Sequence, residues 1–165
     1  MGHRIFIAIN LPQDIKKELS HYQSKWPELP CRWTKEDNLH ITLEFLGSVS
    51  DDELLRVFQD TEVLALKHEP FSITLNKICY GPPKKMPPRM IWVVGEKIKE
   101  WDLSPHITLG RIKAWEFRKI EPEERPPVDE DINLTFEVNS VEVMESILRR
   151  GGPAYTILKT CPLKK

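Results

Sequence analysis

Two histidines stand in identical company. His40 and His106 are each followed by Ile-Thr-Leu, within NLHITLEFLG at 38–47 and SPHITLGRIK at 104–113. The chain has 5 histidines, and a shared four-residue core around two of them points to a duplicated half-domain. In an extended chain, residues i and i+2 project from one face. His40 therefore shares a face with Thr42, and His106 with Thr108, while Ile41 with Leu43 and Ile107 with Leu109 supply the core-facing sides. If the copies are related by a pseudo-two-fold axis, the two imidazole–hydroxyl pairs face each other across a cleft. That constellation suits opening of a phosphodiester. One imidazole takes a proton from attacking water and the other protonates the departing oxygen, each worth ~10²–10⁴-fold. The threonine hydroxyls donate to the non-bridging phosphate oxygens, where charge gathers in the transition state. No metal or other cofactor is expected, because no carboxylate cluster flanks either motif.

The elements around these motifs read mostly as strands. RIFIAIN at 4–10 is short, β-branched and aromatic. Pro12 opens a helix with Ile15, Leu19 and Tyr22 at helical spacing. Arg32-Trp33 begins a short strand, and a longer one runs from Asn38 to Leu46, where Gly47 is expected to stop it. Ser50-Asp51-Asp52-Glu53 is a capping box. Its helix carries Leu54, Val57, Phe58 and Leu64 on one face and is expected to end near His68-Glu69-Pro70. Strands are expected over 71–80, 90–94 and 106–112, separated by the Pro-rich basic loop GPPKKMPP at 81–88. After an acidic, Pro-rich loop at 121–131, NLTFEVNSVEVM at 133–144 alternates as one long strand. RRGGP at 149–153 turns the chain into a returning strand at 154–158. Many strands and two strong helices give an α+β protein with mostly antiparallel sheet.

Composition sets the frame. The 165 residues are 40% hydrophobic and 30% charged, enough for a core and too ordered in pattern for disorder. A net charge of −1 argues against coating nucleic acid by bulk electrostatics but leaves room for a local basic cleft. The 3 cysteines, Cys31, Cys79 and Cys161, form no Cys-x-x-Cys pair, so reduced, inert thiols are expected. The apolar run near the N-terminus is too short for a signal peptide or membrane span, so the expected setting is cytoplasmic, with no membrane partner.

The two H-x-T-x motifs, at 40–43 and 106–109, resemble those of the two-histidine phosphoesterase superfamily. FIAINLP near the start, HEPF before the 71–80 strand, PHITLGR and GPAYTIL near the end resemble the bacterial and archaeal RNA 2′,3′-cyclic phosphodiesterases, also named 2′-5′ RNA ligases. The similarity spans nearly the whole chain. It implies one bilobal domain over 1–165, with two mostly antiparallel sheets flanked by helices and a central cleft. It also implies hydrolysis of an RNA 2′,3′-cyclic phosphate to a 2′-phosphomonoester, with reverse 2′-5′ ligation, by a monomer acting on RNA ends or nucleotides. By motif, His40 resembles the proton donor to the 3′ oxygen and His106 the proton acceptor for water. Thr42 and Thr108 resemble the phosphate-binding hydroxyls, and Arg111 completes the family's H-x-T-x-x-R pattern as a further phosphate ligand. Strict alternation would put Arg111 on the face opposite His106, so a bulge or a long reach is required. The family usually has a long helix before the second motif; here residues 95–104 leave room for about three turns.

Alternation also places Glu44 on the His40 face, where a carboxylate would repel phosphate but raise the pKa of His40. Lys84, Lys85 and Arg89 lie beside Tyr80 and Trp92, a pattern that fits either base stacking with phosphate attraction or a solvated loop. Arg149 and Arg150 sit on a hairpin turn and fit either a guard of the cleft or plain surface charge. His3, His21 and His68 lack a threonine partner and read as surface residues. Two other functions fit the same motifs: cleavage of a small cyclic nucleotide such as an ADP-ribose cyclic phosphate, and RNA or nucleotide binding without turnover. A matched acid and base in both copies argues against the second.

Overall fold

The computed structural model describes residues 2–165. They cluster into two compact units, the first made of the chain up to Asn10 with His40–Ile73 and Glu137–Lys165, the second of Leu11–Leu39 and Thr74–Phe136. Each unit holds one of the two motifs, and the fold is α+β with two antiparallel sheets and three α-helices.

In the first unit, β1 (His3–Asn10), β3 (His40–Val49), β8 (Ser140–Arg149) and β9 (Gly152–Pro162) form a sheet in the order β3-β1-β8-β9, with every pairing antiparallel. The continuous apolar run of β1 is explained by its central place, since Ile5 to Ile9 are all buried and both sheet faces are covered there. Helix α2 (Asp51–Ala65) begins at the expected capping box, with Ser50 Oγ accepting from the Glu53 N–H and Glu53 accepting from the Ser50 N–H. Its Leu54, Val57 and Phe58 pack on Ile5, Val49 and Val143. Full burial of such a side chain would contribute about 1.5–3 kcal/mol, and these, partly buried, contribute less. Leu64 lies at the rim of that stripe, 36% exposed, and Thr61 and Ala65 complete the buried face instead. The helix ends at Ala65, a few residues before Pro70.

The second sheet has the order β2-β6-β5-β4-β7, from β2 (Cys31–Trp33), β4 (Phe71–Gly81), β5 (Met90–Gly95), β6 (His106–Ile112) and β7 (Asp129–Val138). Its core is Ile78, Ile91, Val93, Ile107 and Leu109, with Phe117 of the short helix α3 (Ala114–Arg118) packed edge-on to Tyr80. Helix α1 (Gln13–Tyr22) starts after Pro12 and buries Ile15, Leu19 and the stem of Lys16, whose Nζ donates to the Asp37 carbonyl.

Three sequence expectations are corrected here. Gly47 does not end β3; it sits at φ 73° beside the unpaired Leu46, a left-handed bulge position that favours glycine, and the strand runs on to Val49. The alternating run 133–144 is two strands, β7 and β8, which belong to different sheets, and Asn139 lies between them. Alternation alone cannot reveal such a break, because both strands keep period two. His3 is not a plain surface residue: its Nδ1 lies 2.7 Å from Glu145 Oε2 and its Nε2 2.5 Å from Asp51 Oδ1. The 95–104 connection carries no α-helix, only a 3₁₀ turn at Lys99–Trp101 closed by an Ile98–Leu103 bridge.

Candidate active site

The imidazole–hydroxyl pair of the first motif is formed. His40 Nε2 and Thr42 Oγ1 are 2.8 Å apart, both side chains half-buried, while Ile41 beneath them is fully buried. Residues directly opposite across two strands share a face, and His40 pairs with Asn10, Thr42 with Ala8. The pair therefore lies on the Phe6–Ala8 face, away from α2. Phe6 meets the His40 ring at 5.0 Å, and Tyr155 of β9 meets His40 and Phe6, each at 5.2 Å and nearly edge-on. Sequence reading gave Phe6 and Tyr155 no part in the site, and only pairing across β1, β8 and β9 brings them to it.

Beyond Thr42 the register slips. Ala8 opposes Thr42 and Ile7 opposes Glu44, so Leu43 is an extra residue in a bulge. The slip reverses the alternation, so Glu44 falls on the Ile7 side and Phe45, paired with Phe6, takes the place on the His40 face. The expected position of Glu44 is thus overturned by one inserted residue.

The second motif repeats this design. His106 pairs with Val94 and Thr108 with Trp92, then Ile91 opposes Gly110, which leaves Leu109 as the extra residue. After it, Arg111 pairs with Met90, two residues from Trp92 on the same side of β5. The bulge that Arg111 requires is present, and it puts the guanidinium on the His106 face. Thr108 Oγ1 and Arg111 Nη1 both donate to Met90 Sδ, at 3.8 and 3.7 Å. The bulge is held from behind: the Leu109 carbonyl accepts from Gln23 Nε2 and from the Thr34 N–H, each at 3.0 Å, and Thr34 Oγ1 donates to the Thr108 carbonyl at 2.8 Å. Gln23 and Thr34 carry no sequence signal, because they meet the motif only through the fold.

The His106 ring stacks on Trp92, with centroids 4.2 Å apart and planes at 26°. Gly81 makes room for that indole, since a Cβ there would lie 2.4 Å from the ring. Burial pushes the His106 pKa below the ordinary value of 6.5, opposed by a hydrogen bond to the Ser104 backbone. The nitrogen bound to that backbone oxygen holds a proton, which leaves the other to accept one.

The remaining sequence candidates lie on loops and turns. Lys84, Lys85 and Arg89 are exposed on the 81–89 loop, where Lys84 has φ 65°, and Arg149 and Arg150 are exposed at the β8–β9 turn. All three cysteines are free thiols, and burial pushes Cys31 up to about 12. Among the described residues, no helix is long and apolar enough to cross a membrane, and no group of three or more His, Cys, Asp or Glu side chains is arranged to hold a metal.

A family model for LigT-like phosphoesterases matches residues 9–92, which include the first motif and half of the chain. The chain belongs to the LigT-like phosphoesterase family. Among curated relatives of this phosphoesterase chain, the RNA 2′,3′-cyclic phosphodiesterase of Methanocaldococcus jannaschii is 28% identical, covering 94% of this chain and 98% of the relative. That of Escherichia coli is 29% identical over 94% of each. Among solved structures, TT0787 of Thermus thermophilus matches this LigT-like fold with a TM-score of 0.81 at 26% identity over 98% of both chains. E. coli LigT in complex with phosphate matches at 0.74, with 27% identity and 99% of both chains covered.

Proposed function

We propose that this phosphoesterase hydrolyses RNA 2′,3′-cyclic phosphate ends to 2′-phosphomonoesters, with both units serving one phosphate as a single bilobal, monomeric, cytoplasmic enzyme. The observation that supports this reading is the repeated face: in each motif an imidazole and a hydroxyl lie side by side on one side of a strand. Relatives named RNA 2′,3′-cyclic phosphodiesterase across nearly their whole length add to it, as does an E. coli LigT structure holding 3′-AMP.

In this scheme His106, kept neutral by burial, takes a proton from a water as its oxygen bonds to phosphorus. The P–O3′ bond breaks, its electron pair stays on O3′, and His40 supplies the proton that oxygen needs. Thr42, Thr108 and Arg111 donate to the non-bridging oxygens, where negative charge grows. A 5′-hydroxyl in place of water gives a 2′–5′ bond by the same transfers, the ligation reaction. No step calls on a metal.

The test is turnover, in excess chelator, of an oligonucleotide ending in a 2′,3′-cyclic phosphate. The expected product carries phosphate at the 2′ position alone, and His40→Ala and His106→Ala each slow its formation by ~10²–10⁴-fold. Loss of activity on chelation, or an unchanged rate in either variant, would refute the scheme.

A further inference from the structure

We propose that Arg32 binds the RNA phosphodiester one nucleotide upstream of the cyclic phosphate, as the neighbour of Arg111 acting on the neighbouring phosphate. The inference rests on the phosphodiesterase reading and adds to it a site for a second phosphate.

Arg32 lies on β2, the edge strand beside the second motif, and its partner across the ladder is Arg111. Directly opposed residues share a face. A separate observation fixes that face. A Cβ on Gly110 would stand 2.5 Å from Cys31 Sγ and 2.8 Å from Trp33 Cε3. The residues on either side of Arg32 therefore lie with Gly110, and Arg32 lies with Arg111 on the other side of the sheet. That is the side of His106 and Thr108.

Like charges directly opposed across two strands destabilise the pair. Both arginines are exposed, and among the described residues neither guanidinium forms an ion pair. A charge on an edge strand deters pairing with another chain, but a glutamate at 32 would do that as well and would neutralise Arg111. A doubled cation suits an anion with more than one charged centre. The two guanidiniums also have separate stations. Arg111 donates to Met90 Sδ at 3.7 Å on β5, the strand on the side of β6 away from β2, which leaves Arg32 as the cation of the sheet margin.

An RNA with a 2′,3′-cyclic end has further phosphates in one direction only, toward its 5′ side. With the terminal phosphate at Thr108 and Arg111, the next anion along the strand is the upstream phosphodiester. Two long side chains rooted about 5 Å apart reach successive phosphates, and a guanidinium presents two parallel donors to each.

The experiment compares two diadenosine substrates, each ending in a 2′,3′-cyclic phosphate. One has an ordinary phosphodiester between its nucleosides, the other a neutral methylphosphonate, so only the upstream charge differs. Wild-type protein at low salt is expected to favour the phosphodiester in kcat/KM by about fivefold or more. Arg32→Gln is expected to lose that preference, and Arg32→Lys to keep part of it. The slope of log(kcat/KM) against log salt for the phosphodiester is expected to become shallower by about 0.7 in Arg32→Gln. Its melting temperature is expected not to fall, since repulsion with Arg111 is relieved. A preference that survives in Arg32→Gln, or none in the wild type, would overturn the proposal. An equal loss on both substrates would also overturn it, by placing Arg32 at the cyclic phosphate. If the wild type cleaves neither substrate, the phosphodiesterase reading fails by itself. Calorimetric affinities for the same two dinucleotides with an open 2′-phosphate then decide the site. A linkage-dependent gain in the wild type that Arg32→Gln lacks supports it, and equal affinities refute it.

Discussion

The His106 imidazole lies 4.2 Å from the indole of Trp92, nearly parallel to it. Among the described residues this indole N–H is buried without a hydrogen-bond partner, a cost of about 1–3 kcal/mol. The arrangement fixes the plane of His106 and shields one side of it from water, which is the burial that lowers its pKa. Trp92→Leu is expected to reduce kcat by roughly tenfold and to move the acidic limb of the pH–rate profile toward the ordinary imidazole value. Trp92→Phe keeps a ring and removes the orphan donor, so it is expected to restore the profile with no loss of melting temperature. Steady-state kinetics across pH and thermal melts check both.

The pH–rate profile itself is expected to be bell-shaped. In the proposed scheme His106 is the base and must be neutral, and burial lowers its pKa below 6.5, so activity is expected to fall as the pH drops through that lowered value. In the same scheme His40 is the acid and must be protonated, so activity is expected to fall again on the alkaline side. A single rising limb in kcat/KM would remove His40 from the acid role.

Arg111 reaches the His106 face only through the Leu109 bulge. Arg111→Ala is expected to raise KM for a cyclic phosphate by about tenfold, and Arg111→Lys to recover part of the loss, since lysine keeps the charge but not the fork. Initial-rate kinetics on one cyclic nucleotide decide it, and an unchanged KM in Arg111→Ala would detach the guanidinium from the phosphate.

Gln23 supports the same bulge from another element, its Nε2 donating to both the Thr34 and Leu109 carbonyls at 2.8 and 3.0 Å. Gln23→Leu removes both bonds and is expected to destabilise the fold by about 1–3 kcal/mol, read by denaturant unfolding. The loss in kcat/KM is expected to exceed what the fraction folded accounts for, because Thr108 and Arg111 flank the loosened bulge.

His3 ties β1 to α2 and β8 through Asp51 and Glu145. These partners raise its pKa above 6.5 and hold that of Asp51 below 3.8. A raised histidine pKa means stabilisation that is full below the unfolded value and lost as pH climbs through the folded one; the lowered Asp51 value means stabilisation lost again in acid. The melting temperature is therefore expected to peak between the two and fall on the alkaline side, and His3→Gln is expected to flatten that fall.

The pairing of residues within each motif was legible in the sequence, and the wider geometry was not. Repetition of His-Ile-Thr-Leu marked His40, Thr42, His106 and Thr108 together with the buried isoleucines between them, because strand period two is a local property. The bulges are not legible: one extra leucine in an apolar run looks the same whether it is paired or not, so strict alternation puts Glu44 on the face that Phe45 takes. Trp92, Tyr155, Gln23 and Thr34 join the motifs only by pairing between distant strands. The His3 contacts likewise span 48 and 142 residues, beyond any pattern a local reading detects.

The twin leucine insertions have an implication for how variants of this protein should be interpreted. Each acts like a change of reading frame written in side-chain direction, so positions downstream answer to a different surface from those upstream. Exchanges at 45 or 111 should alter which ligands are tolerated. Exchanges at 44 or 110 address the far side of each sheet, and Gly110 in particular faces Cys31 and Trp33 at distances that leave no space for a methyl group.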